Sequence, residues 1–405
     1  MKKLFILIIL FSTLSCKNKE QEEQLDQNRE AIVNLFNTLE MNEKIDLIEM
    51  ILSDKDTPAQ VIEEYSKDST LINIKEGNIK GNIINSPNVT PAILQEMHSL
   101  LQSDDRYVRI IALNTKLPEN LFEKLALAKD YTTRMSIAEN ENTSITLLRH
   151  LANDSISEVR AEIAINKNTP VDILERLAID ENADVRYNVA GHPKLPINLL
   201  EQLAQDTTTV QLDFNTYSAV RGNVASNPNT PIPILISIFN TSTGTDDVSI
   251  MIRESLALNP NLPLTLIEKL SHDDIYLVRI SIGKNSSTPL SILNKLADDK
   301  TEVVRVAVAS NQSISQKLLE KLAQDNYSYT LKAIANNTKT PICILEKLAN
   351  DNSQDRILLK EIKNNPNMTK PLKLSILNKK EQILQLLPLL DPKIYSELLV
   401  GFREF

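Results

Sequence analysis

The sequence predicts an all-α fold, an α/α solenoid built from short helix pairs, and three observations carry that prediction. A frame of about 26 residues recurs along most of the chain, clearest at Asn285–Ser310 (NSSTPLSILNKLADDKTEVVRVAVAS) and Asn166–Gly191 (NKNTPVDILERLAIDENADVRYNVAG). Self-similarity at a fixed period of this length marks a stacked, quasi-one-dimensional repeat architecture. Each frame also holds two short runs of helical apolar period, and the composition, 42% apolar and 4% aromatic with 7 Gly and no Trp, suits short helices packed by Leu, Ile and Ala rather than a β-sandwich.

Asn114, Asn140, Asn166, His192, Asn227, Asn259, Asn285, Asn311 and Asn337 mark equivalent frame starts. They are evenly spaced, except that the steps beginning at His192 and Asn227 are longer. After the start come Thr-Pro pairs, at Thr169-Pro170, Thr230-Pro231, Thr288-Pro289 and Thr340-Pro341. They predict an N-cap hydroxyl followed by a proline in the first turn of a helix A. Its apolar stripe follows at i, i+3 and i+4, as in Leu174, Leu177 and Ala178 or Leu293, Leu296 and Ala297, which share one helical face. An Asp opens the next turn (Asp154, Asp180, Asp299, Asp325), and Val185, Val189 and Ala190 or Val304, Val308 and Ala309 then mark a helix B. Helices this short are not stable alone, so neighbouring frames must cover each other's apolar faces.

Arg134, Arg160, Arg186, Arg221, Arg253, Arg279 and Arg305 each stand six residues before the next frame start. A basic ladder gripping an anionic polymer is one reading of that column. The stronger expectation is structural: an Asp six residues earlier, as Asp154 before Arg160, Asp180 before Arg186 and Asp299 before Arg305, staples the A-to-B turn, with Ala190 or Ala309 leaving room for the arginine stem. The frame-start Asn residues suit turn hydrogen bonding.

Taken together, Arg305–Asn311 and Asn337–Leu348 resemble the leucine-rich repeat variant family, whose motif reads VRxxVAxNPxTPxxLLxxLAxD. The resemblance covers roughly residues 86–365 and implies a right-handed, all-helical superhelix. HEAT-type repeats look similar but have longer units. The cysteine-rich iron–sulfur segment that some family members add has no counterpart in this sequence, and no cofactor is expected. Such a resemblance specifies a fold and leaves function open.

The chain opens MKKLFILIILFSTLSC, with two lysines, an apolar run and a small residue before Cys16, so residues 1–15 read as a signal peptide too short in its apolar core to span a membrane. Here the sequence resembles bacterial lipoproteins, and the resemblance implies that Cys16 becomes lipid-modified after cleavage. Residues 16–30 then form a polar tether carrying Glu20, Glu22, Glu23 and Asp26, and the expected location is a membrane-anchored, exported one in the cell envelope or at the surface. Cys343, beside Ile342 and Ile344, is expected to be a buried filler. A formal charge of -9 makes nucleic acid an unlikely partner. Residues 31–85 are expected to form an N-terminal helical cap with a degenerate repeat, residues 86–365 the solenoid, and residues 366–405 a C-terminal helical cap.

Two frames break the period. One carries extra residues between Asp206 and Ala219, the other between Phe239 and Ile250. Both fall in the A-to-B turn of adjacent frames, where insertions tend to gather on one face of a solenoid. The candidate binding residues are therefore Asp213, Phe214, Tyr217, Asp246 and Asp247, although surface turns also tolerate extra length without function. No metal site is expected, since the three aspartates lack calcium-loop spacing. His98, His150, His192 and His272 lie in different frames, and His192 fills a slot where other frames have Asn. With no HExxH pair, nucleophile elbow or phosphate loop, no catalytic residues are expected. The sequence thus points to a non-enzymatic scaffold that binds a protein partner. A carbohydrate- or cell-wall-binding lipoprotein using Phe214 and Tyr217, and an envelope enzyme with a site assembled across frames, are the alternatives.

Overall fold

The computed structural model describes residues 41–55, 57–68, 77–211, 217–352 and 355–368. The predicted signal peptide, Cys16, the tether, most of the C-terminal cap, and Asp213 and Phe214 lie outside the described residues, as does the side chain of Tyr217. The chain divides into two compact units, residues 1–194 and 195–405, each a stack of helix pairs of the α/α solenoid kind.

The first unit comprises α1 (Met41–Ser53), α2 (Ala59–Lys67), α3 (Ile79–Ile84), α4 (Pro91–Leu101), α5 (Asp105–Leu113), α6 (Glu119–Ala126), α7 (Tyr131–Glu139), α8 (Ile145–Leu151), α9 (Ser157–Ile165), α10 (Val171–Leu177) and α11 (Ala183–Gly191). The second begins with α12 (Ile197–Leu203), a ribbon of β1 (Thr209–Gln211) and β2 (Tyr217–Ala219), α13 (Val220–Ser226), α14 (Ile232–Asn240) and α15 (Asp247–Leu258). It continues with α16 (Leu264–Leu270), α17 (Tyr276–Lys284), α18 (Leu290–Leu296), α19 (Glu302–Ser310), α20 (Gln316–Leu322), α21 (Ser328–Asn336), α22 (Ile342–Asp351) and α23 (Arg356–Asn364).

In a regular frame helix A spans seven residues and helix B nine, as α18 and α19 do. The predicted stripes are buried: Leu174, Leu177, Leu293, Leu296, Val185, Val189, Val304 and Val308 are all within 3% of full burial. Helices B pack directly on one another from frame to frame, α9 on α11, α17 on α19 and α19 on α21. Small residues two before each frame start make that approach possible: Ala138, Ala164, Ala257, Gly283 and Ala309. A Cβ added at Gly283 would stand 3.1 Å from the Ala307 Cβ, a contact tight enough to push the two helices apart.

Those close helices are joined by a ladder of asparagines. Asn285 is buried, and its Nδ2 donates to Ala257 O at 2.7 Å and Asn259 O at 2.9 Å, while its Oδ1 accepts from Ser287 N at 2.8 Å. Asn140, Asn166, Asn259, Asn311, Asn337 and Asn365 repeat the arrangement. The Oδ1 bond is the turn predicted from sequence. The Nδ2 bonds reach into the preceding frame, satisfying carbonyls at the end of its helix B that would otherwise be orphaned. His192 keeps part of this arrangement with a ring: Lys194 N donates to its Nδ1, so Nε2 carries the proton and donates to Asn166 O, each at 3.1 Å.

Three sequence expectations need correction. In the four Thr-Pro pairs at 169, 230, 288 and 340 the Thr is not the N-cap; the proline occupies that position, with no side-chain bond, whereas Thr90, before Pro91, does cap its helix by accepting from Ile93 N. Thr169, Thr230, Thr288 and Thr340 instead turn back and donate to the carbonyls of Ile163, Val224, Ile282 and Ile334 at 2.6–2.7 Å. Each of these carbonyls lies six residues upstream, at the closing turn of helix B, where the regular helix bonding ends and a carbonyl can accept from a buried hydroxyl.

The Asp/Arg ladder pairs across frames, not within the A-to-B turn. Arg160 Nε and Nη2 grip Asp180 at 2.7 and 2.8 Å, twenty residues on, and only its Nη1 reaches back six residues, to the backbone carbonyl of Asp154 at 2.8 Å. Arg134–Asp154, Arg253–Asp273, Arg279–Asp299 and Arg305–Asp325 repeat the two-pronged grip. The Asp carboxylate is already occupied by its own turn, as Asp299 Oδ1 accepts from Thr301 N at 2.9 Å, so its outward face meets the arginine of the frame before. Burial raises the Asp299 carboxyl, but the Arg279 fork, the Thr301 N–H and the guanidinium charge outweigh it and hold the group below the usual carboxylate range.

Cys343 is exposed, not a buried filler. The buried stripe of α22 is Ile344, Leu345 and Leu348. At about 100° per residue, the position just before that stripe turns away from it.

Candidate functional site

The insertions of the two irregular frames both lie in the second unit, and the frames absorb their extra residues differently. Past Asp206, whose Oδ1 accepts from Thr208 N at 2.9 Å, the chain forms an antiparallel ribbon in the register Thr209–Ala219, Val210–Ser218 and Gln211–Tyr217. This ribbon departs from the all-helical expectation. Burial alternates along β1, where Val210 is buried between exposed Thr209 and Gln211. β2 packs beside α15, the helix B of the following frame.

The second insertion is mostly helical. α14 runs nine residues rather than seven and α15 twelve rather than nine. Asp246 begins α15, accepting from Ser249 N at 2.9 Å and Ser249 Oγ at 2.6 Å; those bonds hold its carboxyl below the ordinary range. Asp246 is thus a helix cap, and Asp247 follows as an exposed first-turn residue. Tyr217 enters through its backbone, in β2. Among the described residues no group of His, Cys, Asp and Glu could hold a metal ion.

Next to this turn lies a cleft of about 240 Å³ lined by Phe239, Thr243, Thr245, Arg253, Lys269 and His272, among others. Arg253 Nη1 donates to Ser242 O and Gly244 O at 2.8 and 2.6 Å, which pins the longer loop to the ladder. Lys269 Nζ sits 5.3 Å from the centre of the Phe239 ring, a cation–π distance.

Two features of this unit escaped sequence reasoning. The residue after the proline of helix A is exposed and apolar in four consecutive frames: Ile197, Ile232, Leu264 and Leu290 are 55%, 49%, 52% and 46% exposed. They occupy one position of stacked units and so form a row. The signal was present as an apolar residue just outside each buried stripe. The other feature is Arg221, the ladder arginine between the two insertions. Twenty residues on, where the other rungs place Asp, stands Thr241, and Arg221 Nη1 donates to its Oγ1 at 3.3 Å. Arg221 Nε is buried and has no hydrogen-bond partner among the described residues.

No protein-family model and no curated protein matches the chain. Among solved structures, one described as a leucine-rich repeat variant with a novel repetitive structural motif is similar, at 21% identity over 59% of this chain and 87% of that one, with a TM-score of 0.35. A likeness that loose carries no functional argument, and the fold rests on the chain's own helix pairs and ladders. Among the described residues no helix is long and apolar enough to cross a membrane.

Proposed function

We propose that this chain is a non-enzymatic scaffold that binds a protein partner along one edge of its solenoid. The observation that carries the reading is the row Ile197, Ile232, Leu264 and Leu290, repeated at one position of successive helices A and about half exposed in each. A single exposed Leu or Ile is ordinary on a protein surface, whereas a contiguous row offers apolar area of the kind partner surfaces cover. The signal anatomy of residues 1–15 and Cys16 supports export and lipid anchoring in a bacterial envelope, which would hold the scaffold at a membrane and raise its effective concentration there.

The test is crosslinked pull-down from intact cells, comparing the parent with the double variant Ile232→Asp and Leu264→Asp. Both side chains are already half in water, so the melting temperature should stay within a few degrees while the partner band is lost. Retention of the same band by the variant would refute the row as the binding edge. Fatty-acid labelling that persists in Cys16→Ala would refute the anchor.

A further inference from the structure

We propose that Arg221 is an open rung of the ladder, a binding site for a carboxylate supplied by the bound partner. This deepens the scaffold reading and rests on it for the source of the carboxylate. The other rungs define what the position is built to hold. Arg134, Arg160, Arg253, Arg279 and Arg305 each place Nε and Nη2 on the two oxygens of an Asp carboxylate, with the Nε bond at 2.6–2.7 Å. This is the bidentate fork that guanidinium and carboxylate geometry favour. At Arg221 the arginine and the twenty-residue spacing are kept, on a helix of seven residues rather than nine, but the Asp of the next frame is replaced by Thr241.

Thr241 does not replace the missing carboxylate. Its hydroxyl proton is directed at backbone, with Ile238 O at 3.0 Å and Ser237 O at 3.2 Å, leaving one neutral lone pair for Nη1 at 3.3 Å. Among the described residues, the guanidinium therefore lacks the carboxylate of the other rungs and its Nε is unpaired. A buried N–H with no acceptor costs free energy that an arriving carboxylate recovers. Thr241 is exposed, so the place of the missing carboxylate lies at the surface where the second insertion begins, and a carboxylate that settles on the buried Arg221 Nε has to displace the side chains covering it. The ligand class follows from the fork: an Asp or Glu side chain, or the carboxylate at a peptide C-terminus.

The experiment reads the side-chain Nε–Hε resonances of the full mature chain labelled with 15N-arginine, with Arg221→Lys assigning its signal. In the unliganded protein the Arg221 proton should exchange with water faster than those of Arg253 and Arg279. Acetate should shift it saturably and slow its exchange, whereas matched sodium chloride should not. N-acetylglycine and N-acetyl-aspartate amide then separate a C-terminal from a side-chain source. Thr241→Asp completes the rung internally, so the signal should become protected and the acetate response at least tenfold weaker. An Arg221 proton already as protected as that of Arg279 would overturn the proposal, since another acceptor would then fill the fork. So would the absence of an acetate response, or a stronger response to inorganic phosphate. A saturable shift alongside a failed pull-down would sink the scaffold reading and leave the carboxylate site standing.

Discussion

Replacing Asn285 with Ala isolates the ladder that ties each frame to the one before. Three hydrogen bonds disappear: two donated to Ala257 O and Asn259 O, and one accepted from Ser287 N. They are not equivalent. Ser287 is exposed, so water can take its N–H, and Asn259 O keeps the Leu262 N–H at 3.2 Å. Ala257 O, at the buried end of a helix, is left without that donor, at a cost of about 1 to 3 kcal/mol. Adding the weakened second carbonyl and a small void, the total should be about 3 kcal/mol. Asn285→His should cost about 1 to 3 kcal/mol: His192 shows that a ring keeps the Nδ1 acceptor and one Nε2 donor to the frame-start carbonyl, but a single N–H there leaves Ala257 O without its donor. Asn285→Asp is nearly isosteric but turns an acceptor toward two carbonyls, and it should be at least as damaging as Ala. Urea unfolding followed by circular dichroism measures the differences. Amide exchange in the flanking frames localises them, since a repeat array need not unfold as one unit. An Ala variant indistinguishable in stability from the parent, or a His variant as stable as the parent, would refute the reasoning.

Other outcomes follow from the same contacts. Leu296→Ala removes a side chain that is 3% exposed and should cost about 2 to 5 kcal/mol by the same urea measurement. Asp299→Asn leaves the buried Arg279 guanidinium facing a neutral amide, at about 3 to 5 kcal/mol near neutral pH. The carboxyls of Asp154, Asp180, Asp299 and Asp325 are held below the ordinary 3.8. Their contribution is thus present above that value and lost as pH falls through the lower folded one, and the acid limb of stability should be shallower in the Asn variant. His192 is pushed below 6.5, chiefly by burial. The unfolded chain then binds the proton more readily, and stability is full above 6.5 and declines on acidification. His192→Asn should shrink the stability difference between pH 7.5 and pH 5.5, read from chemical unfolding at the two values, with His98, also depressed by burial, supplying the remainder.

Much of the fold was legible because a repeat states its pattern many times over. The stripes of α10, α18, α11 and α19 could be named residue by residue, since apolar periodicity alone decides which side of a short helix is covered. Partner identities were not legible. Asp180 stands six residues from Arg186 and twenty from Arg160, and near neighbours along the chain look like the natural pair until the stacking of frames brings the distant one closer. Thr169 misled for a related reason. Its place before a proline fits a cap, but its hydroxyl donates to the carbonyl of Ile163 instead. At the irregular edge the sequence marked the right turns by their length, yet it directed attention to the inserted Asp246 and Asp247. The unmatched member of the column was Arg221, and its signal was a Thr at position 241, visible only once the twenty-residue pairing is known.

The asparagine ladder also sets how the chain can change its length. Each frame-start side chain asks for two backbone carbonyls at fixed places in whichever frame precedes it, and backbone carbonyls are the same in every frame. A whole regular frame can therefore be removed or duplicated inside the second unit, and the neighbours that come together find the acceptors they need. Half a frame cannot, because it would present helix A where the asparagine seeks the end of helix B. The extra residues of the His192 and Asn227 frames obey the same restriction: they fall between the start of A and the end of B, in the ribbon and in the lengthened α14 and α15, the stretch of the period that carries none of the ladder's carbonyls.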